Sequence, residues 1–404
     1  MNWQRFYEQF VDGWQVLHKF THPRHMTVYY NREQMKAIWN YMNTEERQLP
    51  IRCIWHYFII VQIYIFFLSL LYGIPESLDS IVDLGEDILW VIAAFFLCFK
   101  VIYFLNYADD IDIIIDTLEQ MHHEPKTTKR IRSIQREHFL LETGLSVAWY
   151  GAMVFFSTVI VSHPLWSAQT LLFHCAYPFE LHDPIEHPIC HFIILLTQIF
   201  IMTYYQLWIL YTELFSVHCF SQLAVNFQIL CIELRELNKR TDDEQHFSSE
   251  LRRLVRCHQR ILHLVQRVNE VFYAPLILQF FATFALLCLS TFVVMACRDQ
   301  IEIVVRFAIF MMMTFSYISY WSKFGDMVTE KSHEVALAAY DAYQYSSKSS
   351  KILKSQRNLI LIMRRAQKPL TMKANPFPAY NLSNCMLLLK QCYTILTVLL
   401  RYLD

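Results

Sequence analysis

Seven apolar runs are separated by gaps that alternate between rich and poor in lysine and arginine, and that alternation constrains the chain more than any other feature. The runs lie near Ile54–Tyr72, Leu84–Leu105, Phe139–Val161, Ile189–Tyr211, Val271–Cys297, Ile301–Trp321 and Tyr380–Leu400. Each is long enough to cross a hydrocarbon core of about 30 Å as a helix. The gaps Gly73–Asp83 and Ser162–Pro188 contain no Lys or Arg, and the gap after the fifth run has only Arg298. The intervening gaps are basic: Lys126, Lys129, Arg130, Arg132 and Arg136 fill the second, eight basic residues from Arg235 to Arg267 the fourth, and ten from Lys323 to Lys373 precede the last run. Excess positive charge marks cytoplasmic loops. The expected fold is therefore an all-α membrane protein of seven transmembrane helices, N-terminus cytoplasmic and C-terminus extracellular.

Composition agrees with a membrane class. Apolar residues make up 55% of the chain and charged residues 18%, against roughly a quarter charged in soluble domains. The net charge of −1 conceals the segregation of basic residues between loops. Six glycines leave almost no material for phosphate-cradling loops, and no nucleotide fingerprint is present, so no cofactor is expected. Acids within the runs are few and sit near their ends (Glu86, Asp87, Glu142, Glu213, Glu302), which argues against an enzyme or a transporter. The basic residues flank membrane spans, so nucleic acid is not an expected partner. No compact N-terminal apolar core suggests a cleaved signal, and the first span is expected to direct insertion.

Eleven cysteines include no CxxC pair, and most fall within apolar runs as small buried hydrophobes. Cys175 and Cys190 fall in the predicted second outer loop, where oxidation is permitted; they are the candidate disulfide, bonded or free. The same loop gathers His163, His174, His182, Asp183, Glu186, His187 and His191. His187 and His191 would align on a helix, but Pro184 and Pro188 interrupt it. The expectation is no metal site, and a lid that is structural or pH-sensitive.

Below the fourth and fifth runs, Phe220–Asn238 and Ser249–Asn269 keep apolar residues at helical spacing, so both helices are expected to project beyond the bilayer. Met327–Arg365 is also helix-like, and Pro369, Pro376 and Pro378 end it. The last run alternates leucines with Asn381, Ser383, Asn384, Lys390, Gln391, Thr394 and Thr397. Such a helix faces protein or water, not lipid. Two placements satisfy this: burial among the other six helices, or the lining of a pore repeated around an axis.

The last third of the chain carries a resemblance. Phe324-Gly325-Asp326, Thr329-Glu330-Lys331-Ser332, Val335 and Ala338-Ala339-Tyr340, then Leu359–Arg365 with Ala366-Gln367-Lys368-Pro369-Leu370, Phe377-Pro378, Leu382 and the closing Tyr393–Arg401 resemble the signature of insect odorant receptors. The resemblance implies a ligand-gated cation channel of four subunits, with the last helix around the pore. It is similar to a conventional tuning subunit that works with a co-receptor in a heterotetramer, because it lacks the long cytoplasmic insertion that marks the co-receptor. It further implies residence in the plasma membrane of olfactory sensory neurons. Mapped by the closing motif, Leu396 and Leu400 fall at the family's hydrophobic gate, and Leu399 where the co-receptor has a pore glutamine.

The resemblance also implies a pocket for a volatile organic ligand in the outer half of the bilayer, among the second, third, fourth and sixth crossings. Topology then nominates Trp90, Phe95, Gly151, Phe155, Thr197, Ile201, Phe310, Met313 and Thr314, with Thr197 or Thr314 as the polar contact. Four segments are expected: a cytoplasmic stretch 1–51, six crossings with the pocket over 52–321, a cytoplasmic anchor over 322–379, and the pore-lining helix with its tail over 380–404. The alternatives are a gustatory receptor of the same superfamily, a G-protein-coupled receptor, which requires the opposite orientation, or a transporter.

Overall fold

The computed structural model describes residues 50–123, 129–166, 171–237, 244–296, 299–346, 353–368, 370–372 and 379–401. The segment 1–49 and Pro369, Pro376 and Pro378 lie outside the described residues, as do the side chains of Leu396, Leu399 and Leu400. All regular structure among the described residues is helical: α1 (Pro50–Gly73), α2 (Ile81–Asn106), α3 (Ala108–His123), α4 (Lys129–Trp166), α5 (Pro188–Glu236), α6 (Glu244–Ala296), α7 (Ile301–Ser346), α8 (Leu353–Ala366) and α9 (Leu382–Arg401).

Local chemistry sets several of these boundaries. Ser80, in an extended conformation, accepts the Asp83 N–H and caps α2, satisfying one of the orphan donors of the first turn. Pro188 opens α5, where its missing N–H costs nothing. Asn381 Oδ1 accepts the Asn384 N–H at 2.7 Å and caps α9. The amphipathic helix α3, with Asp109 and Asp110 in its first turn, was not foreseen from the apolar runs.

Six of these helices are long and apolar enough to cross a membrane. On α5 the qualifying stretch is Phe215–Glu236, whereas the apolar segment Pro188–Tyr204 is shorter. Burial separates their roles. Val217, Cys219, Phe220, Leu223 and Phe227 are enclosed by protein, while Ile189, Phe192, Ile193, Leu196 and Phe200 are exposed along one face. An apolar face of that size is stable against lipid and not against water, so Pro188–Tyr204 with the turns that follow makes the crossing and Phe215–Glu236 is core. Similar exposed stripes run along α1 (Val61, Ile65, Leu68, Tyr72) and α4 (Val147, Val154, Phe155).

The helices α5, α6 and α7 contain 49, 53 and 46 residues, or roughly 70–80 Å each at 1.5 Å per residue. That is more than twice the hydrocarbon thickness, so all three continue beyond it, as the apolar spacing predicts. α5 and α7 run parallel and pack along their lengths, with α6 against both; Arg235 near the end of α5 pairs with Asp341 near the end of α7 at 3.1 Å. α8 folds back on this extension. Here lies the largest buried cluster, containing Phe220, Phe272, Trp321, Phe324 and Leu359. α9 packs on α6 and α7 alone among its stronger contacts.

Candidate functional site

At the opposite end from these extensions, α2, α4 and α7 converge beneath the loop that joins α4 to α5. They enclose a cavity of about 50 Å³ lined by Leu89, Trp90, Phe156, Val159, Ile160, Leu172, Phe307, Ile309 and Phe310, with Glu86 and Arg306 as its charged members. The aromatic rings interlock. Trp90 meets Phe173 edge-on at 4.6 Å and Phe310 at 6.2 Å, and Phe156 lies 5.7 Å from Phe310. Edge-to-face geometry places positive ring edges on negative faces, so the walls hold their shape.

The roof is a loop that enters the bundle instead of running over it. Backbone drawn into an apolar site must find hydrogen-bond partners. Fully buried Gln198 on α5 accepts the N–H groups of Leu172 and Phe173 at 2.9 and 3.1 Å and donates to the Phe173 carbonyl at 3.3 Å. Ala176 N–H bonds the Ser69 carbonyl of α1 at 3.2 Å. His174, the residue after Phe173, sits 2.9 Å from an oxygen of buried Asp87, 3.1 Å from Ser77 Oγ and 3.6 Å from Glu76. The Asp87 hydrogen bond raises the His174 pKa above its ordinary value, against a smaller opposing effect of burial and with added help from the charges of Asp87, Glu76 and Asp83. Ser77 also donates to Asp87, tying the α1–α2 connection to the α4–α5 connection.

The candidate cysteine pair, left open as bonded or free, is unbonded in this structure: Cys175 and Cys190 are both free. Cys175 turns into the bundle, where burial raises its thiol pKa to about 12, while Cys190 occupies the first turn of α5. The loop histidines act as local partners. His191 Nδ1 bonds the His182 carbonyl at 2.7 Å, and Tyr177 N–H meets His182 Nδ1 at 3.3 Å. Among the described residues no three His, Cys, Asp or Glu side chains converge as a metal site.

Two comparisons bear on identity. The model of a family described as "7tm Odorant receptor" matches residues 80–393. Odorant receptor 65a of Drosophila melanogaster is 40% identical over all of this chain and 97% of its own length. The chain belongs to the 7tm Odorant receptor family. It is thus similar to sensory receptors, not to enzymes. Odorant receptor 47b of the same fly is 30% identical over 93% of this chain and 91% of its own. The fold matches the insect olfactory receptor OR5 from Machilis hrabei, solved in complex with eugenol, with a TM-score of 0.79 at 15% identity, covering 92% of this chain and 98% of that one.

The nominated pocket residues of this receptor divide into four groups. Trp90 and Phe310 line the cavity. Ile201 and Met313 pack in the buried cluster around it, with Phe66 and Phe173. Phe95 and Phe155 are exposed on the outer faces of their helices, Phe155 at 61%, and a Cβ on Gly151 would meet nothing within 4 Å. The hydroxyls of Thr197 and Thr314 donate within their own helices to Ile193 and Phe310 at 2.8 and 3.0 Å. Sequence reasoning missed Glu86 and Arg306 as a pocket pair. Its available signal was one charge of each sign near the same end of two apolar runs.

A second polar site lies deeper. Lys100 of α2 and Glu213 of α5 form a buried ion pair, with side chains 3% and 1% exposed. Lys100 also reaches Tyr317 Oη at 3.2 Å and stands 4.5 Å over Phe96. On α4, Glu142 pairs with His218 of α5 at 2.9 Å, and Ser146 bonds Tyr320 of α7 at 2.8 Å. These bonds tie the walls of the pocket to the core of the extension.

The last helix is anchored at its base and open along its length. Tyr380 donates to the Leu276 carbonyl of α6 at 2.9 Å and packs on Phe280 and Trp321. Cys385, Leu388 and Cys392 form a buried stripe at spacings of three and four. Lys390, Gln391, Tyr393, Thr394 and Ile395 are exposed. Among the described residues, α9 is therefore not enclosed by the other helices of its own chain.

Proposed function

We propose that this receptor is a tuning subunit of a ligand-gated, non-selective cation channel, opened by a volatile organic molecule held in the cavity beneath the Leu172–Ala176 loop. The observation that carries the channel reading is α9. Among the described residues only one stripe of it is covered within the chain, and its exposed face mixes Lys390, Gln391 and Thr394 with apolar residues. In hydrocarbon those polar groups need protein or water beside them. Neighbouring subunits and a central aqueous path supply both, which favours pore lining over the buried-helix alternative. Leu396, Leu399 and Leu400 are proposed to lie at the constriction, where an apolar ring blocks ions by dewetting.

The orientation proposed is the one the basic residues give: amino end and extensions in the cytosol, the pocket in the outer half of the plasma membrane, and residues 322–379 as the intersubunit anchor. The partners proposed are co-receptor subunits in a heterotetramer of the olfactory neuron. Ligand binding biases opening only through a difference in affinity between closed and open states. The polar bonds through Lys100–Glu213 and Glu142–His218 offer a mechanical route from pocket to extension. The pocket itself is aromatic, as suits the hydrocarbon part of a volatile ligand.

Recording from cells that express the chain with and without the co-receptor, across an odorant panel, tests this. Rapid currents that persist when G-protein signalling is blocked are expected. Trp90→Ala should alter ligand sensitivity at least tenfold, whereas lipid-facing Phe155→Ala should leave it within about twofold. No current with the co-receptor despite surface expression would overturn the channel reading.

A further inference from the structure

Among the described residues the two most exposed large apolar side chains lie in the outer limb of the loop that roofs the pocket: Phe179 at 89% and Ile185 at 88%. Phe179 and Glu180 are also the only non-glycine residues described with positive φ, at 62° and 53°. An L side chain crowds its own backbone there, and a bulky residue adopts that conformation at a cost in free energy. The strain holds an aromatic ring outward, a combination that water does not favour. Three hydrogen bonds fix the height of this limb. His182 Nδ1 accepts the Tyr177 N–H at 3.3 Å, closing the turn over residues 178–181. Buried His191, in the first turn of α5, donates from Nδ1 to the His182 carbonyl at 2.7 Å. The His187 N–H reaches the Asp183 carbonyl at 3.0 Å. The limb is therefore strapped to the start of α5, and three residues of chain keep Phe179 within about 11 Å of His182. At that level Ile189, 75% exposed, begins the lipid-facing stripe of Phe192, Ile193, Leu196 and Phe200.

We propose that residues 178–186 form a lipid hook: Phe179 and Ile185 enter the leaflet on the pocket side, the outer one in the orientation proposed above, and pack among phospholipid acyl chains beside the stripe that starts at Ile189. The partner is lipid because the exposed apolar surface continues, four residues on, into a face that already meets hydrocarbon. Moving the two side chains out of water offsets the left-handed backbone. Glu180, Asp183 and Glu186 are the acids of the hook, and no Lys or Arg occurs from Ser162 to Pro188. The acids stay at the level of the headgroups, and a hook without cations has no preference for anionic lipid, so apolar insertion alone holds it. The same loop forms the pocket roof over Leu172–Ala176, and the hook attaches that roof to the bilayer as well as to the bundle.

The test reads attachment to lipid and not current, so its failure is separate from that of the channel reading. The photoreactive residue p-benzoylphenylalanine is placed at Phe179 in the full chain, co-expressed with the co-receptor in cells fed an alkyne-bearing fatty acid. After illumination the receptor is purified under denaturing conditions, and its light-dependent lipid label is read by coupling a dye to the alkyne. The same probe at Phe155, on the lipid-facing side of α4, marks the full signal, and at Tyr340, half-exposed on the extension of α7, it marks background. Burial of a side chain as large as phenylalanine favours hydrocarbon over water by about tenfold or more, so position 179 is expected to take up about tenfold more label than position 340 and to approach position 155. The probe at Ile185 should do likewise, which keeps the proposal testable if the first variant fails to reach the surface. Label at 179 and 185 no higher than at 340, or light-dependent transfer chiefly to another protein, overturns the proposal.

Discussion

The side chain of Gln198 holds the backbone of Phe173 as a neighbouring strand would, accepting its N–H at 3.1 Å and donating to its carbonyl at 3.3 Å. A single amide thereby satisfies loop backbone that has been drawn under the outer surface, and it fixes Phe173 against Trp90. Gln198→Ala strips partners from the Leu172 and Phe173 N–H groups and the Phe173 carbonyl. Each buried group so orphaned costs about 1–3 kcal/mol. A fall of several degrees in the melting temperature of the detergent-solubilised receptor is expected, with faster hydrogen exchange at the loop; unchanged exchange there would refute the pinning role.

Lys100 and Glu213 should behave as a pair. Removing one partner leaves a charge stranded in the interior, at a cost of about 3–5 kcal/mol, whereas replacing both with apolar residues of similar volume is often neutral. Lys100→Met and Glu213→Leu are each expected to cut surface expression severely, and the double variant to recover most of it. A double variant as poor as either single one would mean that Tyr317 or another neighbour needs the charge.

Gly325 has a steric duty. A Cβ there would run into the carbonyl oxygen of Tyr380, the residue that seats the base of α9 on α6. The obstacle is backbone and cannot rotate aside, so Gly325→Ala should displace α9 and abolish currents. Gly144→Ala is the control, because a Cβ there would meet nothing within 4 Å. Comparable loss of current in both variants would show that α9 is not selectively affected.

The Asp87–His174 contact predicts a pH dependence with a definite sign. The native pKa of His174 is raised, so the protonated contact stabilises the loop fully below the ordinary histidine value of about 6.5 and is lost as pH rises through the elevated native value. Thermal stability should therefore decline as pH rises from about 6.5 through that point, and His174→Gln should remove that slope. Asp87, Glu76 and Ser77 all face the imidazole, and with 44% of the side chain exposed the effect should be small. A slope that survives H174Q would assign it to another group.

Periodicity determined the helical class, the long helical extensions and the mixed character of the last helix. These are properties of single segments, since an apolar run of given length has one stable solution in hydrocarbon. The closing motif supplied the family. Neighbouring residues then exposed the limit of such reasoning: Phe155 faces outward and Phe156 lines the cavity, a difference of about 100° on one helix that no spacing rule resolved among so many aromatics. The buried loop, the free Cys175 and Cys190, and the pairings Glu86–Arg306 and Lys100–Glu213 were decided by tertiary structure. Each joins residues far apart in the chain, and which charge meets which depends on how whole helices pack. Local sequence fixes what must be hidden from lipid or water, and only packing chooses the partner that hides it.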